Sequence, residues 1–211
     1  MDLRAHAASL LTGIYAIVNE GDTDPVVLVR AALAGGVRIV QYRAKAGIHD
    51  ARAHTIRELT RRSDALFILN DAWERVAEFD ADGVHVGPDD IALDQLQRIR
   101  QTIGPRLIGV SCGTPQEARI AERTGADYAG VGSIYATPSK ADAGAPIGIT
   151  GLRAVAGATS LPLAAIGGIT LAHIGEVRAT GVAMAAVISA ITCAADPQAA
   201  SGALVRAWNG S

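Results

Sequence analysis

In Thr124-Gly125-Ala126-Asp127-Tyr128-Ala129-Gly130-Val131-Gly132-Ser133-Ile134 the end of one helix meets the start of a strand. A glycine closes a segment of helical periodicity, Pro115–Thr124, and a strand-like apolar run begins almost at once. The same junction recurs as Ala34-Gly35-Gly36-Val37, as Phe79-Asp80-Ala81-Asp82-Gly83-Val84 and as Thr180-Gly181-Val182-Ala183, so one unit, helix then strand, is repeated along the chain. Reading outward, strands are predicted near Ile14–Val18, Arg38–Arg43, Leu66–Leu69, Gly83–Val86, Leu107–Val110, Tyr128–Gly132, Leu163–Ile166 and Ala183–Ile188. Helical patterns follow each of them, at Pro25–Ala34, His49–Arg62, Trp73–Glu78, Leu93–Ile103, Pro115–Thr124, Thr150–Ala156, Leu171–Thr180 and Pro197–Trp208.

Start and stop signals agree with those boundaries. Asp24, Thr114 and Asp196 each precede a proline, the pattern of a capping side chain ahead of a first-turn proline. Gly35-Gly36, Gly104, Gly125 and Gly181 stand where helices must turn left-handed to end. Eight such units with nearly continuous apolar strands predict a closed (β/α)8 barrel, an α/β TIM-barrel fold, with residues 1–211 as a single domain. The competing architecture is an open doubly wound sheet. The count of units argues against it, and so does the lack of a Gly-x-Gly-x-x-Gly motif opening the first helix.

Composition narrows the function classes. Hydrophobic residues make up 49% of the chain and aromatics only 4%, so the core must be built from Val, Ile, Leu and Ala. A formal net charge of -2 argues against nucleic acid as a partner and makes any anion site local. Cys112 and Cys193 lack metal-type spacing and read as small buried residues. Met1-Asp2-Leu3-Arg4-Ala5-His6 has no signal-peptide character and no apolar run is long enough for a bilayer, which predicts a cytoplasmic protein without a membrane partner. The oligomeric state is left open.

In a barrel of this kind, function sits at the C-terminal strand ends. After strand two, Val40-Gln41-Tyr42-Arg43-Ala44-Lys45 alternates so that Gln41, Arg43 and Lys45 share one side and Tyr42 takes the other. Two inward cations call for an anionic ligand; the competing reading is a rim position paired with Asp or Glu. Strand three ends in Leu69-Asn70-Asp71-Ala72 and strand four in His85-Val86-Gly87-Pro88-Asp89-Asp90. Asp71 and Asp90 read either as helix caps or as ligands of a hard divalent cation such as Mg2+. His85, inside a strand, reads as a hydrogen-bonded interior histidine. Strand five supplies Ser111, and strand six leads into Thr137-Pro138-Ser139-Lys140, which reads either as a polar surface loop or as two hydroxyls and an ammonium suited to phosphate. Gly167-Gly168 after strand seven and Ile188-Ser189 after strand eight suggest a second phosphate position, distinct from the Arg43, Lys45, Asp71 and Asp90 side.

In order and spacing, these motifs resemble the thiamine phosphate synthase family from about Ile14 to Ile191. The resemblance implies an enzyme, a transferase, that couples a hydroxymethylpyrimidine diphosphate to a thiazole phosphate, with Mg2+ as cofactor and both small molecules as partners. It implies that Gln41 and Asn70 hold the pyrimidine, that Arg43, Lys45, Ser111 and Lys140 bind the pyrophosphate, and that Asp71 and Asp90 bind the metal. Thr137, Ser139, Gly168, Ile188 and Ser189 would hold the thiazole phosphate. Two positions depart from the family pattern: Ala72 where a second Asp is common and Pro88 where a Gln is common. A related branch, the thiazole tautomerases, commonly carries a His where this chain has Gly113, so the pattern favours the synthase. The other alternative is a non-catalytic barrel that binds thiamine phosphates.

Overall fold

The structure, a computed structural model, describes residues 3–21, 23–87, 93–137 and 145–210. Helix α1 (Leu3–Ser9) leads into β1 (Gly13–Asn19), and then strand and helix alternate: α2 (Pro25–Ala34), β2 (Ile39–Arg43), α3 (Asp50–Arg62), β3 (Leu66–Asn70), a 3-10 turn (Trp73–Arg75), β4 (Gly83–Val86) and α4 (Leu93–Ile103). The chain continues through β5 (Leu107–Cys112), α5 (Pro115–Thr124), β6 (Tyr128–Val131), α6 (Gly148–Ala156), β7 (Leu163–Ile166), a second 3-10 turn (Leu171–His173) with α7 (Ile174–Arg178), β8 (Met184–Val187), α8 (Ser189–Thr192) and α9 (Pro197–Asn209). Every neighbouring pair of strands is parallel, and β8 pairs with β1, so the sheet closes as the predicted (β/α)8 barrel.

Closure divides the apolar residues by parity. Ile14, Ala16 and Val18 of β1 face the helices and join the larger core, whereas Tyr15 and Ile17 point inward with Ile39, Leu66, Ile68, Leu107, Tyr128 and Met184. Leu11 and the Ala7, Ala8 and Leu10 side chains pack onto that inner cluster, so α1 closes the end of the barrel where the strands begin. The sequence reading did not include this helix, because seven residues with two charged or titratable side chains carry too little periodicity to declare it.

The caps form as predicted. Asp24 accepts from the Val26 N–H at 2.9 Å, Asp196 accepts from the Ala199 N–H at 2.9 Å, and Thr114 closes a capping box with Glu117. Gly36, Gly104, Gly125 and Gly181 take positive φ, but Gly35 stays right-handed at φ -76°. Its lack of a side chain serves packing instead: a Cβ there would sit 2.5 Å from Cβ of Ser201 on α9. Two helical predictions shrink. Trp73–Glu78 is only a 3-10 turn, because Asp71 and Asp80 at its ends are both left-handed and leave too few residues for a cooperative helix. Leu171–Thr180 divides into a 3-10 turn and α7, and a further short helix, α8, follows strand eight ahead of the helix predicted at Pro197–Trp208.

Asp127 anchors the closed end. Its carboxylate accepts from Arg4 at 2.6 and 2.7 Å, from Arg100 at 2.6 Å and from the Ile108 N–H at 2.8 Å, thereby tying α1, α4 and β5 to the start of β6. The side chain is only 7% exposed, so its loss strands the buried Ile108 N–H and removes the carboxylate that Arg4 and Arg100 share. Asp127→Ala is expected to lower stability by about 3 kcal/mol, with Asp127→Asn losing less because it keeps an acceptor for Ile108. Urea unfolding of the three proteins checks the order.

Candidate active site

A cavity of about 530 Å³ opens at the C-terminal ends of the strands. Its wall includes Gln41, Arg43, Lys45, Asn70, Asp71, Ser111, Thr137, Gly168, Ile188 and Ser189, ten positions that the sequence singles out. The remaining three, Asp90, Ser139 and Lys140, lie outside the described residues, as do Pro88 and Asp89.

The β2 alternation holds. Gln41 points into the barrel and donates from Nε2 to the Tyr15 hydroxyl at 2.7 Å, while Tyr42 faces outward and donates to Glu20. Glu20 also pairs with Arg52 of α3, so the outward side of this strand end is locked to a helix. Arg43 donates to Asn19 Oδ1 at 3.1 Å, and no described carboxylate pairs with Arg43 or Lys45. The rim pairing that competed with an anion site is therefore not what the described residues form. Arg43, half-buried, and Lys45, exposed at the rim, both line the cavity, where an anion would complete them.

At the end of β3, Asp71 adopts φ 62° and its N–H donates to the His85 carbonyl at 2.9 Å. The residue at the cap position of the following turn is Ala72, so the helix-cap reading of Asp71 is not realised. Its carboxylate accepts from the Asn70 side chain and lines the cavity mouth. Among the described residues no group of three His, Cys, Asp or Glu side chains gathers as a metal centre.

Across the mouth, the loop after β6 is fastened to the end of β7. The Ile134 N–H donates to the Ile166 carbonyl at 2.9 Å and the Tyr135 N–H to the Gly167 carbonyl at 3.0 Å. Tyr135 stacks on His173 with ring centres 3.9 Å apart and donates to Glu176 at 2.9 Å. Gly167 and Gly168 have φ of 101° and 64°, and a Cβ on Gly168 would sit 2.6 Å from the Ala136 carbonyl oxygen. These glycines thus admit the neighbouring loop as well as opening the cavity wall.

His85 is the hydrogen-bonded interior histidine that its strand position predicts, with Nδ1 3.2 Å from the Tyr128 hydroxyl and Nε2 3.1 Å from Ser111 Oγ. The sequence reading missed Tyr15 and the role of Tyr128. In a chain with four tyrosines, two at inward-facing parity inside aliphatic strands were the available signal. Burial pushes both phenols above their ordinary range, so they serve as neutral hydrogen-bonding groups. Cys112 also lines the cavity, but burial pushes its thiol up to about 12 and it is no nucleophile at neutral pH. Cys193, expected to be buried, is instead exposed just beyond the end of α8, so one thiol is expected to react with Ellman's reagent in the native protein and two after denaturation.

A closed barrel with a cavity of cations, amides and hydroxyls at its strand ends is the architecture of a (β/α)8 enzyme that acts on small molecules. The thiamine monophosphate synthase family model matches residues 14–191, and the chain belongs to that family. It is 43% identical over 198 residues to a thiamine-phosphate synthase of Roseiflexus castenholzii, covering 90% of this chain and 86% of that one. It is 45% identical over 187 residues to the thiamine-phosphate synthase of Moorella thermoacetica, covering 86% and 87%. Among solved structures, thiamine phosphate pyrophosphorylase from Pyrococcus furiosus superposes with a TM-score of 0.84 at 34% identity, over 98% of each chain.

Proposed function

We propose that this enzyme is a thiamine-phosphate synthase that joins the hydroxymethylpyrimidine diphosphate to the thiazole phosphate and releases pyrophosphate, within a single barrel domain. The observation that carries this reading is the meeting of Gln41, Arg43, Lys45, Asn70 and Asp71 on one side of a cavity whose other side is Gly168, Ile188 and Ser189, in a chain matched along residues 14–191. Two differently built walls suit two phosphorylated substrates.

Gln41 and Asn70 bind the pyrimidine through their amides. Arg43, Lys45 and Lys140, helped by the Ser111 hydroxyl, take the diphosphate and neutralise the charge that grows on it as the bond between the methylene carbon and oxygen breaks, its electron pair leaving with pyrophosphate. The aminopyrimidine donates electrons to the methylene carbon and so stabilises the cation. Thr137, Ser139, Gly168, Ile188 and Ser189 hold the thiazole phosphate so that the ring nitrogen lies over that carbon and its lone pair forms the new C–N bond. No side-chain nucleophile and no strong base are required, which agrees with the unreactive Cys112 and the neutral tyrosines.

The donor set fits a hard cation. The Asp71 carboxylate lies at the cavity mouth beside Asn70, Arg43 and Lys45, and Asp90, which follows β4 in the sequence, would be its counterpart. When bound, Mg2+ supplies further charge neutralisation for the leaving pyrophosphate. The cellular setting is the cytoplasm; among the described residues no helix is long and apolar enough to cross a membrane.

An assay that follows thiamine phosphate from the two substrates, with and without Mg2+, tests the reading. Product that depends on both substrates and on the metal is expected. A complete reaction mixture without product rejects the proposal.

A further inference from the structure

Gln41, Tyr15, Tyr128, His85 and Ser111 form one hydrogen-bonded chain across the barrel, with links of 2.7, 3.0, 3.2 and 3.1 Å. Its members come from strands β2, β1, β6, β4 and β5, so no segment of sequence contains it. Gln41, Tyr15 and Tyr128 are 2%, 1% and 0% exposed, so the links between them are almost wholly withdrawn from solvent even though Gln41 and Tyr15 line the cavity wall.

That closure sets the direction of every proton. The Gln41 Nε2 can only donate, so the Tyr15 oxygen accepts, and the one proton of Tyr15 must go to its other partner, Tyr128. The Tyr128 proton must then go to His85 Nδ1, its remaining partner. The opposite direction would aim two donors at Tyr15 and leave its own proton buried without an acceptor, a cost comparable to a lost hydrogen bond. With Nδ1 accepting, the imidazole proton resides on Nε2, which faces Ser111 Oγ. Glycines seat both rings: a Cβ on Gly109 would lie 2.0 Å from Tyr128 Cζ, and one on Gly130 would lie 3.0 Å from His85 Cε1.

We infer that His85 is a positioning residue, held as its Nε2–H tautomer by this chain, which makes Ser111 accept from the imidazole and turn its own hydroxyl proton into the cavity toward an anionic oxygen of the substrate. A serine that accepts one hydrogen bond is a more polarised donor in its second, so the chain adds strength as well as direction. The inference rests on the proposed function for the identity of that anion, the diphosphate, but the tautomer itself follows from the protein alone.

The test has two arms. In full-length protein labelled with 15N-histidine, and with His85 assigned by comparison with His85→Asn, long-range correlation spectra are expected to show a bare, pyridine-type Nδ1 and a protonated Nε2. A protonated Nδ1 overturns the inference, whatever the enzyme does. In the second arm, Tyr128→Phe and Ser111→Ala are each expected to raise KM for the pyrimidine diphosphate about tenfold, with a smaller change in kcat. The double variant is expected to be no worse than Ser111→Ala, since Tyr128 acts through Ser111. Multiplying losses overturn it, because they mark Tyr128 as an independent structural group. Should Tyr128→Phe fail to fold, Tyr15→Phe breaks the chain one link earlier and is read in the same way. A wild-type protein without coupling activity would defeat the proposed function and leave the tautomer result to decide this one.

Discussion

Asp71→Asn is expected to reduce Mg2+-dependent coupling by about a thousandfold while the protein stays folded. The substitution removes one charge and little else. Asp71 occupies the left-handed region at φ 62°, which Asn tolerates nearly as well as Asp, whereas Ala adds about 1 kcal/mol of backbone strain to the same loss of charge. An Asn there also keeps an oxygen for the Asn70 amide and leaves the bond from the residue 71 N–H to the His85 carbonyl undisturbed. Activity measured against Mg2+ concentration, beside a thermal melt, separates the two effects. Full activity at every metal concentration would remove Asp71 from the site, and a collapsed melting temperature would make it structural.

The second large effect is on stability. Gly109→Ala places a methyl group 2.0 Å from Cζ and 2.4 Å from the hydroxyl oxygen of Tyr128, a ring with 0% exposure and no room to retreat. Overpacking of this severity costs about 3 kcal/mol, equivalent to about 6–12 °C in melting temperature for a chain of this length. Gly130→Ala is expected to differ in kind. Its Cβ would stand 3.0 Å from His85 Cε1, a contact that a small ring displacement relieves, so the melting temperature falls less while the link from His85 to Ser111 is disturbed. Melting curves and KM for the diphosphate, taken on both variants, check the contrast; equal melting temperatures would show that the Tyr128 seat is softer than its packing indicates.

The departures Ala72 and Pro88 bear differently on the site. Ala72 lies at the cap position of the 3-10 turn, and the carboxylate beside it at Asp71 still reaches the cavity. Pro88 lies outside the described residues. Gly113, where the tautomerase branch commonly has a His, is on the cavity wall, where it supplies no acid or base.

How much was legible beforehand follows from the range of the forces. Capping by Asp24, Thr114 and Asp196 and the helix-ending glycines act over three or four residues, and the inward parity of Gln41, Arg43 and Lys45 follows from a period of two. Short-range rules of this sort can be read along a chain without coordinates, and they sufficed for the repeated unit, its number and the strand ends where polar groups collect. Sidedness beyond one strand could not be read in this way. Tyr15 meets Tyr128 across 113 residues and Arg4 meets Asp127 across 123, and both meetings depend on the stagger of strands around a closed ring. Only once β8 pairs with β1 do five polar groups from five strands fall into one chain of hydrogen bonds, two cations come to face a cavity with no described carboxylate partner, and Asp71 prove not to be a cap.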